Sequence, residues 1–317
     1  MSPDRAWLGR RLLLGVGQTA ALVVLIFALT EALPGDAAVA LAGDQPDPQR
    51  IALIRENLGL DRSAGERLLD WVGGLAHGDL GTSLVSGRPV ADLLADGLGP
   101  TLVLAGVTAT LLVPLSVGLG VLAARREGGP VDRTVSGLTA AVHAVPEFAL
   151  GVLVITVFAL RLGWVPPTAI GTGGDLWAHP DVLVLPVLVL LSRPVCTISR
   201  LVRAGMIDAM ASPYAAHARR LGLTPTRVRW AHALPNALAP AGQQLARTCD
   251  WLLGGVIVVE ALFVIPGLGT VLIDAVAARD IPVVQGLAVV FGVVTVVVNL
   301  GADLVTRRLA PRAEVAA

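Results

Sequence analysis

The chain has 317 residues, of which 54% are hydrophobic and 15% charged, and its mean hydropathy is +0.73. That balance excludes an ordinary water-soluble domain and points to a protein that lives in a bilayer. Basic and acidic residues number 24 each, so the net charge of zero gives no reason to expect a nucleic-acid partner.

Every one of the 24 basic residues is Arg. Without Lys there is no P-loop to grip nucleotide phosphates and no amine for Schiff-base chemistry. The chain therefore cannot power itself as a Walker-type ATPase. Cys196 and Cys249 lie in apolar stretches, where a thiol behaves as a small hydrophobe. The five histidines, His77, His143, His179, His217 and His232, have no spacing that sets two on one helix face, so no metal site is expected.

In chain order, six stretches are long and apolar enough to span about 30 Å of hydrocarbon. They are Leu12 to Leu33, Thr101 to Ala124, Val135 to Leu160, Val182 to Ile207, Asn236 to Phe263 and Val283 to Val305. Between the first two, Asp47-Pro48 opens a short helix with Ile51, Ile54 and Leu58 on one stripe and Gly59 as its stop. Ser63 with Glu66 three residues on is a capping box, starting a second helix that aligns Leu68, Val72 and Leu75. A third short helix, Val90 to Leu98, is expected along the interface, with Pro100 turning the chain inward.

Arginines fix the expected orientation, because Arg-rich loops stay cytoplasmic. Arg5, Arg10 and Arg11 precede the first span, Arg125, Arg126 and Arg133 follow the second, Arg219, Arg220, Arg227 and Arg229 follow the fourth, and Arg307, Arg308 and Arg312 follow the sixth. Both termini are thus expected in the cytoplasm. The expected layout is a cytoplasmic N-terminus (1–11), a first span (12–33), an extracytoplasmic helical segment (34–100), a five-helix core (101–305) with a cytoplasmic loop (208–235), and a cytoplasmic tail (306–317). A cleaved signal peptide ending at Ala38-Val39-Ala40 is the weaker alternative, since its apolar run is too long and cleavage would leave five spans.

The loop after the fourth span reads Ser212-Pro213-Tyr214-Ala215-Ala216-His217-Ala218-Arg219-Arg220-Leu221-Gly222. A Ser cap, Pro at the first helical position, Arg in the last turn and Gly just beyond define a short, sharply bounded helix. Thr224-Pro225 repeats the device for a second helix, which runs through Arg229 and His232 to Pro235. The pair is expected to form a protruding knob. Ala215, Ala216 and Ala218 would let another protein's backbone come close, with Tyr214 as an aromatic anchor.

This loop resembles that of ABC importer permeases, whose pattern is EAA, three residues, Gly, nine residues, I-x-L-P. Ala216-His217-Ala218 stands at the EAA position, Gly222 at the Gly, and His232-Ala233-Leu234-Pro235 at the I-x-L-P. Ala218, Gly222, Leu234 and Pro235 match; the Glu, the first Ala and the Ile do not. The rest of the chain resembles the dipeptide, oligopeptide and nickel branch, in the opening span with its LPGD exit, GDLG-S at Gly78 to Ser83, LGWVPP at Leu162 to Pro167, VVEALFVIPGLG at Val258 to Gly269, ARDIPVVQG at Ala278 to Gly286 and VNLGADL at Val298 to Leu304. The resemblance implies an all-α membrane protein with six transmembrane helices and the type I importer permease fold. It also implies a second permease, usually a different chain, one or two cytoplasmic ATPases that bind ATP and Mg, and an extracytoplasmic solute-binding protein. Pro213 to Leu221 would be the coupling helix, and this chain would bind no cofactor and break no bond.

Charges inside the spans are costly and mark candidate sites. Glu147 follows Pro146 in the third span, Glu260 precedes the helix-breaking Pro266-Gly267, and Asn299 and Asp303 lie one turn apart on the sixth. These four are candidates to line a solute path or to bind helices together. Arg247 and Asp250, three apart, are expected to neutralise each other. Two other functions compete. A self-sufficient secondary transporter would favour inverted repeats, of which the halves show none; a membrane hydrolase would need a GxSxG, paired His or Asp dyad, all absent.

Overall fold

The computed structural model describes residues 3–32, 39, 47–57, 59 and 61–309. Among them there is no strand, only an isolated bridge between Thr82 and Pro89. The helices are α1 (Pro3–Glu31), α2 (Pro48–Asn57), α3 (Ala64–Ala76), α4 (Val90–Ala124), α5 (Pro130–Ala144), α6 (Glu147–Val154), α7 (Val184–Ala211), α8 (Pro213–Arg220), α9 (Leu234–Phe263), α10 (Leu268–Ala277) and α11 (Ile281–Leu309). By length and composition four helices can each cross a membrane, or up to six spans if each bent helix pair counts as one. The side chains of Ile54, Asp250 and Asp303, with Leu58, Ala38 and Ala40, lie outside the described residues, and with them the Arg247–Asp250 pair and the Asn299–Asp303 facing.

The chain forms two compact units, residues 1–99 with 266–297 and residues 100–265 with 298–317. In the second, α7 is the central helix, two thirds buried along its apolar stretch. Leu190, Ile198, Val202 and Met206 of α7 join a core with Val256, Val259 and Phe263 of α9 and Leu104 and Val121 of α4. Lipid tails are as apolar as Leu, so close packing rather than escape from water holds such helices together. Two glycines allow it. A Cβ at Gly120 of α4 would lie 2.7 Å from the Ser199 carbonyl oxygen, and one at Gly205 of α7 would lie 2.9 Å from that of Ala237.

Two expectations need correction. The third span is not one helix, since α5 and α6 meet at 105° around Val145-Pro146. Pro146 lacks the N–H that would continue α5 and drives Val145 into an extended conformation, ψ 129°. Nor does a separate interfacial helix precede Pro100, because Val90–Ala124 is one helix of 35 residues with Pro100 and Pro114 inside it. Each Pro removes one backbone bond, a loss that a long apolar helix tolerates.

In the first unit the sequence signals of the segment after α1 hold locally. Asp47 accepts the Gln49 N–H at 3.0 Å, and Gly59 closes the turn after α2 at φ +60°. Ser63 and Glu66 form the reciprocal capping box of α3. The Ser63 hydroxyl, then its N–H, hold the Glu66 carboxyl below its ordinary value. This cap therefore contributes fully above the unfolded carboxylate pKa and fades as acid pH passes down through the lowered folded value. α3 leans on α1 through the stacked rings of Phe27 and Trp71, 6.3 Å apart, and the Arg67–Glu31 ion pair.

Two motifs that stand almost 200 residues apart in sequence meet in this unit. Ser83, from GDLG-S, donates its hydroxyl to Asp280 Oδ2 at 2.5 Å, and the Leu84 N–H donates to Oδ1 at 3.1 Å. Both side chains are buried, and beside them Val90, Leu94, Leu268, Val283 and Leu287 form a small apolar core. Asp280→Ala would leave the buried Ser83 hydroxyl without its acceptor, at about 1–3 kcal/mol, and the half-buried Leu84 N–H without its own. Limited proteolysis of the purified protein is expected to cut the 63–99 segment faster in that variant, and unchanged cleavage would show that the latch bears no load.

Candidate functional site

Ser212 serves two helices at once, ending α7 and capping α8. Its extended backbone (φ −67°, ψ 155°) turns the chain, and its hydroxyl oxygen accepts the Ala215 N–H at 3.4 Å. The far end of α8 is a complete Schellman motif: Leu223 N–H donates to the Ala218 carbonyl at 3.3 Å and Gly222 N–H to that of Arg219 at 3.0 Å. Gly222 sits at φ +83°, where a Cβ is strained. Arg219 folds back to donate to the Met210 carbonyl at the end of α7 at 3.3 Å.

Ala215 and Ala218 do not face outward as expected, and Ala216 is half-buried. Ala215 and Ala218 are buried against Val228, with Met210 and Leu223 around them. At helical spacing the small residues let α8 settle onto the chain's own next segment, while the larger Tyr214, His217 and Leu221 stay exposed. Tyr214 is steadied by Asn236, whose Nδ2 donates to its hydroxyl at 3.2 Å.

The second knob helix also departs from expectation, since it does not stop at Pro235. Thr224 caps it by accepting the Arg227 N–H at 3.4 Å, and Pro225–Arg227 passes through π-helical turns at Val228–Ala233 straight into α9. The Leu234 N–H closes these turns on the Arg229 carbonyl, five residues back. α8 is thus joined to α7 through one residue, Ser212, and to α9 without a break after Thr224, so a push on it reaches both.

Asp132, which the sequence reading passed over, fixes the neighbouring loop. It is buried at the start of α5 and takes both arms of the Arg203 guanidinium, at 2.5 and 2.6 Å, with the Gly128 N–H at 2.8 Å and the Ser136 hydroxyl at 3.1 Å. The fork anchors α5 to α7, nine residues before Ser212. Its sequence signal was an acid set among the arginines of an Arg-rich loop.

The candidate polar residues are scattered. Glu260 is fully buried and accepts the Thr101 hydroxyl at 2.6 Å, while its carbonyl takes the Val264 and Ile265 N–H groups where α9 ends. Val264 adopts the left-handed conformation at φ 53°, so the break begins before Pro266. One freed carbonyl, that of Phe263, accepts the Ala169 N–H at 2.9 Å. Glu147 opens α6 at the bend, with Oε1 buried and no hydrogen-bond partner. Asn299 is half-buried on α11. No group of three or more His, Cys, Asp or Glu among the described residues is placed to hold a metal.

The family model described as "Binding-protein-dependent transport system inner membrane component" matches residues 116–315, and the companion model for the N-terminal part matches residues 6–105. The chain belongs to this family. It is 36% identical over 300 residues to the glutathione transport system permease protein GsiC of Escherichia coli, covering 94% of this chain and 96% of that one. It is 34% identical over 307 residues to a "Probable peptide ABC transporter permease protein" of Sinorhizobium fredii, covering 96% and 97%. The MetNI methionine ABC transporter in inward-facing form shares its fold, with TM-score 0.56 at 21% identity over 69% of this chain and 97% of that one. An amino acid ABC transporter does so at TM-score 0.51 and 19% identity, over 69% and 94%.

The permease is thus an all-α, multi-pass inner-membrane subunit of an ABC importer with the type I permease fold. The self-sufficient transporter falls away, since the relatives and the structural neighbours are ABC components.

Proposed function

We propose that this permease forms half of the path for a peptide or a related small solute, pairs with a second, different permease, and is driven by one or two cytoplasmic ATPases that carry the ATP and Mg. An extracytoplasmic solute-binding protein delivers the cargo. Both termini and α8 lie on the cytoplasmic side, in keeping with the arginines at the alternate loops. α8 with its C-terminal turn, from Pro213 to Gly222, is the coupling helix, docking through Tyr214, His217 and Leu221, and the chain itself catalyses nothing. The observation that carries this reading is likeness along almost the whole length, 36% identity over 94% of the chain, to the permease of a glutathione system. Nickel is the alternative cargo within the branch.

The test is to tag the C-terminus, extract native membranes in mild detergent and identify what co-purifies by mass spectrometry. A second permease, Walker-motif ATPases and a lipid-anchored binding protein are expected. Recovery of two copies of this chain with no second permease would overturn the heterodimer, and absence of any ATPase would overturn the coupling assignment.

A further inference from the structure

The central helix of the permease carries charges that its own fold leaves unused. Arg193 lies nine residues into α7, about 14 Å from its start and so near the middle of a hydrocarbon core of about 30 Å. Arg200 follows two turns later on the same side. Both are exposed, and neither guanidinium makes a hydrogen bond or ion pair among the described residues, whereas Arg203 is taken by Asp132. A guanidinium at that depth cannot be left facing lipid tails without a large cost.

Opposite this stretch lies the bend of the third span, which packs on α7. His143 closes α5 and Glu147 opens α6, and His143 Nδ1 and Glu147 Oε1 are both buried without a hydrogen-bond partner. Arg193 is within electrostatic reach of both groups, and Arg200 of His143. No ion pair closes between Arg193 and Glu147. The fold thus holds a guanidinium and a carboxyl group apart at mid-membrane, beside a broken helix, with polar valences unfilled on both sides. Buried polar groups are seldom left in that state unless something else fills them.

We propose that this bend and the facing stretch of α7 form a mid-membrane station for a zwitterionic solute, in which Arg193 takes the solute's carboxylate and Glu147 its ammonium. Arg200 extends the cationic track toward the Arg-rich side, and the half-buried His143 offers a further hydrogen bond. A guanidinium fork matches a carboxylate bidentately, so the station selects solutes with a free carboxylate and a free amine, the chemistry of a peptide, over a bare metal ion. This rests on the importer reading above and names the cargo class for it.

The test uses the complex of permeases and ATPases purified in nanodiscs. ATP-driven uptake by the wild type with its binding protein, in proteoliposomes, is measured first, and its failure for every solute tried would overturn the importer reading rather than the station. Retention of radiolabelled dialanine and of glutathione is then measured in the nanodiscs without binding protein, dialanine against its C-terminal amide, glutathione against the form with both carboxylates amidated, and each against its N-acetyl form. The wild type is expected to hold at least one free zwitterion about tenfold or more tighter than either derivative. Arg193→Gln is expected to erase the preference over the amide, Arg193→Lys to keep part of it, and Glu147→Gln to erase only the preference over the N-acetyl form. If Arg193→Gln fails to assemble, comparison of Arg193→Lys with Glu147→Gln still reads the two ends separately. Equal retention of acid and amide by the wild type, no retention at millimolar solute, or a preference that survives Arg193→Gln would each overturn the station.

Discussion

In the reconstituted complex, Ala218→Glu is expected to abolish solute-stimulated ATP hydrolysis while the permease still inserts. Ala218 is only 7% exposed, seated with Ala215 on Val228. A carboxylate there would have no partner, and burying an unpaired charge costs several kcal/mol. α8 must therefore lift off the segment that feeds α9, and the helix an ATPase would grip loses its backing. Tyr214→Ala acts on the exposed surface of α8. It removes an aromatic anchor that is 42% exposed, and such anchors contribute about 2 kcal/mol or more at a docking surface, roughly thirtyfold in affinity. Tyr214→Phe keeps the ring, loses only the bond from Asn236, and is expected to remain near wild type. Gly222→Val adds strain at φ +83° and should fall between them. The measurement is ATPase rate in proteoliposomes with and without loaded binding protein, with insertion followed by protease-protected fragments. Normal stimulation in both Ala218→Glu and Tyr214→Ala would show that α8 does not couple.

The contrast between Ala218 and Tyr214 shows where sequence reasoning reached its limit. Helix ends were legible because caps are written within four residues: Ser63 with Glu66, Ser212 with Pro213, and Gly222 after Arg220 all stand as read. The spans were legible because apolar length is a local property. The facing of α8 was not, since small residues favour close approach without saying whether the neighbour is the chain itself or a partner. The bend at Pro146 was underread because an apolar run around a Pro looks continuous on a hydropathy scale that is blind to a missing N–H. Asp132–Arg203 and Ser83–Asp280 join residues 71 and 197 positions apart, and no periodicity carries such a pairing. Arg193 was overlooked for a simpler reason, because one charge in a span of high mean hydropathy does not disturb the average.

The second large effect is expected at Asp132–Arg203. Arg203→Ala would leave a buried carboxylate with the Gly128 N–H and the Ser136 hydroxyl as its remaining donors. Breaking such a pair from one side costs about 3–5 kcal/mol where both groups are buried. Asp132→Ala should cost less, about 2–3 kcal/mol, because the Arg203 side chain is 28% exposed and can turn toward water, whereas that of Asp132 is only 4% exposed. The asymmetry gives the test its sign. With both residues changed to Ala no charge is stranded, so the double variant should be more stable than the sum of the single losses allows, by a coupling energy of about 2 kcal/mol or more. Tryptophan-monitored thermal unfolding of the four proteins in one detergent reads that cycle, and additive losses would show that the fork is not a coupled unit. Arg203 lies on the helix that ends at Ser212, so the same variants read function as well. If the fork keeps α7 in register with α5 while α8 is pushed, single variants that still fold should lose stimulated ATPase activity more than basal activity. The double variant should regain stability without regaining stimulation, because an apolar contact replaces the strength of a bidentate fork but not its direction.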